Sequence, residues 1–238
     1  MTTTGAEDRG PEGLCQEHPH SCVTIIRMRV DHVVYAAEND GARATAARLA
    51  EQLGVEAVDG GVHPRFGTRN VILPLLGDRY LEVVEVLDHP ASDKAPFGQV
   101  VRARSESGGG WLGWVLSVDD ITQQEARLGR ESVVGSRHRP DGVELRWKQL
   151  GVKGLMSDPQ LPFFVEWDAE VPHPSGVGET RVALKSLEIA GDPERVRDWV
   201  GVDKDYVPEG IDFNFVSPRG NPGIMSVTFE TPNGPVTL

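Results

Sequence analysis

The sequence is short of cysteine, of positive charge and of long apolar runs, and each shortage removes a class of protein. Its two cysteines, Cys15 and Cys22, stand in the polar opening stretch, where a disulfide would close a small loop and could not tie a fold together. Lys and Arg number 24 against 36 Asp and Glu, and the formal net charge of -12 repels phosphate backbones and anionic lipid. Neither nucleic acid nor a membrane is therefore an expected partner. No apolar run approaches the ~20 residues of a membrane helix, and "MTTTGAEDRGPEG" has neither the basic start nor the apolar core of a secretory signal. The expected location is the cytoplasm. The tract "CQEHPHSC" lacks the CxxC spacing of a metal knuckle, so residues 1–22 read as a flexible N-terminal extension, with an accidental metal tract through His18 and His20 as the alternative.

What the chain does have is turn residues. Its 27 glycines and 17 prolines point to many short elements joined by turns, which favours strands. Three stretches align: "VDHVVYAAENDGARATAARLAEQLG", "WLGWVLSVDDITQQEARLG" and "VALKSLEIAGDPERVRDWVG". Each is an apolar strand, an Asp and a helix-period segment closing on glycine. Asp40, Asp119 or Asp120, and Asp192 are placed to accept from first-turn amides, Pro193 suits a first helical position, and Gly54, Gly129 and Gly201 suit a left-handed helix end. Further strands follow each helix. The spacing predicts modules at 23–90 and 111–170 and a partial βαββ module at 171–238. A linker at 91–110 carries a short helix and ends in the flexible "SGGG". The third unit either completes a sheet within the chain or offers a surface for a homodimer.

Strand alternation then singles out polar residues on apolar strands. In "VDHVVYA", Val30, His32 and Val34 share one face; in "RYLEVVEV", Tyr80, Glu82 and Val84 do; in "LPFFVEWD", Phe164 and Glu166 lie opposite Phe163, Val165 and Trp167. A carboxylate buried without a partner costs several kcal/mol, at roughly that order of magnitude, so such glutamates should be neutralised, paired or bound to a cation. The plainer alternative is a wet sheet face where Glu82 and Glu166 meet arginines, with His32 an ordinary hydrogen-bonded core histidine. One His and two Glu together make the donor set of an oxygen-rich divalent site.

The combination "DHVVYA", "HPRFGTRN", "YLEVVEV", "PDGVELRW" and "LPFFVEW" resembles the glyoxalase-like domain proteins of the vicinal oxygen chelate (VOC) superfamily, which takes in glyoxalases, bleomycin resistance proteins and dioxygenases. The resemblance implies an α+β fold in which two βαβββ modules form a cup-shaped mixed sheet with helices outside. It implies a divalent ion (Zn, Mn, Ni, Co or Fe) held by His32, Glu82 and Glu166. It also leaves Gly113 where a second-module ligand would stand, so the set is incomplete: three ligands can hold a catalytic metal, or be the remains of a lost site.

Two functions follow as expectations. One is a metal-dependent lyase, isomerase or dioxygenase whose small substrate presents neighbouring oxygens to the ion, with Glu82, Glu166 and His63 in acid–base roles and Asn70, Trp147 and Phe164 as substrate contacts. The other is a metal-free protein that sequesters a small or drug-like molecule between aromatic walls drawn from Trp111, Trp114, Trp147, Phe163, Phe164 and Trp167. In "GGVHPRFGTRN" Gly67 is the turn, and His63 either faces the cup or merely belongs to a structural loop. "SRHRP", with Arg137, His138 and Arg139, reads as a carboxylate clamp or as a solvated strand end.

Overall fold

The computed structural model describes residues 28–202, 210–217 and 220–238. The N-terminal extension with Cys15, Cys22, His18 and His20 lies outside the described residues.

Two repeated modules close into an eight-stranded barrel. The first comprises β1 (Met28–Ala36), α1 (Ala42–Leu53), β2 (Val58–His63), β3 (Thr68–Leu75) and β4 (Arg79–Val86). The second comprises β5 (Gly110–Val118), α4 (Thr122–Leu128), β6 (Val133–His138), β7 (Glu144–Leu150) and β8 (Phe163–Trp167). Between them run α2 (Pro90–Lys94) and α3 (Pro96–Glu106), and α5 (Gly154–Ser157) sits between β7 and β8. The strand order β1-β4-β3-β2-β6-β7-β8-β5 closes on itself, with β1 parallel to β4 and β5 parallel to β8. This is the α+β cup that the family resemblance implies.

A two-fold relation links the modules. β1 and β5 run antiparallel with His32 opposite Val115 and Val34 opposite Gly113, the pattern produced when a dyad exchanges His32 with Gly113 and Val34 with Val115. The parallel pairs agree: Val34 faces Glu82 and Val115 faces Phe163, so 81 residues separate Val34 from Val115 and Glu82 from Phe163.

The barrel closes where β2 meets β6, at the single registered pair Val62 and His138. Gly61 (φ 108°) permits that approach, since a Cβ there would lie 2.0 Å from the His138 carbonyl oxygen.

Helix ends follow the predicted chemistry with one exception. Gly54, Gly129 and Gly201 are all left-handed, with φ of 69°, 61° and 77°. Asp192 accepts from Glu194 N (2.9 Å) and Asp120 from Thr122 N (3.0 Å). Asp40 instead pairs with Arg48, and Ala42 N, which opens α1, donates to Glu85 Oε2 at 2.8 Å.

Two cores divide the inside of the barrel from its outside. Val33, Leu73, Leu81, Val83, Leu116 and Phe164 face outward into one cluster, together with α1. A second sheet, of order β10-β9-β11-β12, shares that cluster through Leu187, Val227 and Phe229. It is built from β9 (Ala183–Ala190), α6 (Pro193–Val200), β10 (Asp212–Val216), β11 (Gly223–Thr231) and β12 (Gly234–Thr237). Its element order matches the modules but its pairing does not: β9 lies parallel to β10, the strand directly after the helix, and not to the last strand. Inside the barrel, Val34, Val84, Val115 and Phe163 meet Phe97, Val100 and Val101 of α3 and Leu155 of α5. The segment predicted as a linker therefore fills the cup's inner face, and the helices are not all outside.

Candidate functional site

The barrel interior narrows to a cavity of about 30 Å³, room for about two water molecules. His32, His63, Tyr80, Glu82 and Arg137 are the titratable groups that line it, among Phe66, Phe97, Trp147, Phe163 and Trp167. A groove of about 760 Å³ abuts it and shares Phe66, Phe97 and Gln149 as a common wall.

The polar centre starts from a β-bulge. The register of β1 against β5 shifts between Val30 and His32, which makes Asp31 the extra residue. Val30 therefore turns outward into the main core, while His32 turns into the cup. The bulge lets two neighbours in sequence bond to each other: Asp31 Oδ1 lies 2.7 Å from His32 Nδ1. Asp31 is fully buried, and its Oδ2 accepts from Trp167 Nε1 (3.2 Å) and from His173 Nε2 (3.0 Å). Burial pushes its carboxyl up, but the hydrogen bonds from His173 and His32 and the charges of both rings outweigh burial and hold it well below the usual carboxylate range.

An ionised carboxylate only accepts hydrogen bonds, so His32 donates its Nδ1 proton to Asp31 and turns Nε2 into the cup. Nε2 faces Glu82 Oε2 at 3.9 Å. Tyr80 stacks on the imidazole with ring centroids 4.3 Å apart and fixes its plane. Asn70 Nδ2 donates to Glu82 Oε1 at 2.6 Å, which leaves Oε2 toward His32. Asn70 is thus a positioning residue for Glu82. His63 hydrogen-bonds Thr68 Oγ1 through Nδ1 at 2.9 Å. Burial, with the charges of Arg137 and His32 behind it, holds its imidazole well below the usual histidine range.

Glu166 and Phe164 stand elsewhere. Both lie on the outward face of β8, opposite Phe163, Val165 and Trp167. Phe164 is packed in the outer core against Trp199. Glu166 accepts from Ile121 N at 2.8 Å and pairs with Lys148 Nζ at 2.9 Å. It starts α4 as Glu85 starts α1, and it follows Glu85 by the same 81 residues that relate the modules. Its repeat mate is therefore Glu85, while the mate of Glu82 is Phe163. Trp147 lines the cup, but Trp111 and Trp114 pack outside it.

The described residues do not fit the implied metal. His32 and Glu82 offer two donors, their symmetry mates Gly113 and Phe163 offer none, and Leu155 Cδ2 fills the place of a Gly113 Cβ at 2.6 Å. Among the described residues no group of three His, Cys, Asp or Glu side chains is placed to share an ion. Catalytic zinc sites commonly use three protein ligands, and here a guanidinium also lines the cavity.

His173 and the bulged Asp31 form the part of the site that pattern reading missed, while Arg137 stood in it as one of two alternatives. "SRHRP" held the signal for Arg137: alternation on β6 puts it on the opposite face from His138, which is exposed near Glu144.

The model of the glyoxalase-like domain matches residues 30–201. No curated protein matches the chain. A hypothetical protein from Staphylococcus aureus of known structure is 14% identical, with a TM-score of 0.61 over 81% of this chain and 87% of that one. Methylmalonyl-CoA epimerase from Mycobacterium tuberculosis, also 14% identical, reaches a TM-score of 0.39 over 58% of this chain and 86% of its own.

Proposed function

The chain belongs to the glyoxalase-like domain family of the VOC superfamily, and from that premise we propose that its cup moves a proton on a small organic molecule through His32 and Glu82. The observation that carries this reading is the buried Asp31, His32 and Glu82 chain, with the imidazole Nε2 facing a carboxylate across 3.9 Å. A carbon acid seated against the two groups would lose its proton to one of them and take that proton back from the same group, on the same or a neighbouring carbon, which is isomerase chemistry. Asp31 is a positioning residue: it fixes the His32 tautomer and stabilises the imidazolium that forms. Aromatic rings make up most of the remaining wall. His32 and Glu82 are two donors where a catalytic metal commonly takes three, and the proton transfer needs no ion.

The sequestering alternative has one observation in its favour. The adjoining groove of about 760 Å³ falls within the roughly 300–1,000 Å³ of small-molecule sites, which the cup itself does not.

The test is hydrogen–deuterium exchange at carbons beside a carbonyl, followed by NMR over a panel of small keto and hydroxy acids, together with elemental analysis of the purified protein. The expected result is saturable exchange that survives chelators and falls by about 100-fold or more in Glu82→Gln and in His32→Gln. Near-stoichiometric metal that disappears in Glu82→Gln would overturn the reading and restore the ion.

A further inference from the structure

Proton transfer accounts for Asp31, His32 and Glu82 but leaves Arg137 without a task. This side chain projects from β6, beside the β2–β6 closure, and is 3% exposed in the wall of the cup. Its Nε has no hydrogen-bond partner, and among the described residues no carboxylate stands within ion-pair distance. Glu82, the acidic group of the cup, is held by Asn70 on one oxygen and faces His32 with the other. A guanidinium stays charged at any pH a protein meets. This one has no ion-pair partner among the described residues and feels Glu82 and Asp59 only from beyond that range, and neither strand pairing nor core packing asks for it.

We propose that Arg137 is the docking group for a small carboxylate, and that the cup's ligands are compact organic acids. The planar fork of a guanidinium matches a carboxylate in two parallel hydrogen bonds. The cavity of about 30 Å³ matches the two oxygens of a carboxylate, and anything larger, a ring above all, enters only as the wall opens. A dianionic phosphate is larger and would meet Glu82. His63, neutral through burial, adds no second charge, so one guanidinium selects one anion. The proposal rests on the cup being the reactive site, since a carboxylate on Arg137 would set its neighbouring carbon toward His32 and Glu82.

The experiment titrates the full chain with acetate and propionate, with acetamide and propionamide as uncharged controls and inorganic phosphate as the competing anion. Calorimetry measures binding, and NMR follows the Arg137 Nε–H and the Trp147 indole. Saturable binding of both acids but of neither amide is expected, with the Arg137 Nε–H shifting on titration. Arg137→Met, which keeps the volume and removes the charge, should lose at least tenfold in affinity while melting no lower than the wild type. Arg137→Lys should retain part of the affinity. Equal affinity in Arg137→Met, preference for phosphate or the amides, or an unmoved Nε–H would overturn the proposal; so would a collapse of the Met variant, which would assign the guanidinium to the fold. Acid binding without carbon-bound hydrogen exchange would leave the subsite standing and remove the proton-transfer reading. Exchange that needs Glu82 but ignores Arg137 would do the reverse.

Discussion

Asp31 sits in a bulge that no pattern of apolar residues announces. Strict alternation puts Val30, His32 and Val34 on one face of β1, and the extra residue breaks that rule on the N-terminal side of His32. His32 and Glu82 were legible because their own strands alternate cleanly from there onward. Asp31 and His173 were not, because one depends on a register shift and the other on a loop that returns 142 residues later. His63 gives a prediction at this scale. The unfolded imidazole takes up a proton near pH 6.5, whereas the folded one resists until well below it. Its contribution to stability is therefore complete above that pH and lost as pH falls, at about 1.4 kcal/mol per unit. Thermal melts from about pH 7.5 to about pH 5.5 should fall more steeply for the wild type than for His63→Asn, and parallel curves would refute the assignment.

At the scale of elements, "YLEVVEV" and "LPFFVEW" each offer a glutamate, and the sequence does not say which ones correspond. The structure pairs them by task. Glu85 and Glu166 each take the opening amide of a helix, and Glu85 also pairs with Arg69. Glu82 faces inward where its mate is an aromatic ring. Alternation had put Glu166 opposite Trp167, so the orientation was readable and only the choice of inner face was not. Replacing Glu166 with Ala should cost about 1 kcal/mol, as loss of a helix cap does, and leave exchange chemistry and acid binding intact. Urea denaturation alongside the NMR assay checks this; a Glu166 variant that folds normally but loses activity would return it to the site. The segment 96–106 was readable as a helix, but its burial was not. Phe97, Val100 and Val101 form an apolar stripe whose partner is the inner face of a barrel closed by strands far away in sequence.

At the scale of the whole molecule, the repeated units were legible from strand, helix and glycine signals, and their pairing into a cup only from the family resemblance, which rests on the order of several unspecific motifs. The second sheet's pairing was not legible, since β9 could have met either neighbour. The barrel itself has unequal joints. Eight residue pairs register between β1 and β5, but one between β2 and β6, where Gly61 lets the backbones touch. Gly61→Ala should lower the melting temperature by several degrees, corresponding to roughly 1–3 kcal/mol of strain, and amide exchange should begin at β2 and β6 before β1 and β5. Uniform exchange around the barrel would contradict that order.

The agreement of Glu85 with Glu166, set against the disagreement of Glu82 with Phe163, separates inheritance from use. Two copies that share the residue starting a helix and differ in the residue facing the cup have kept scaffold information twice and reactive information once. A search that averages the copies would weight the capping glutamates as the common signal and blur the chemistry.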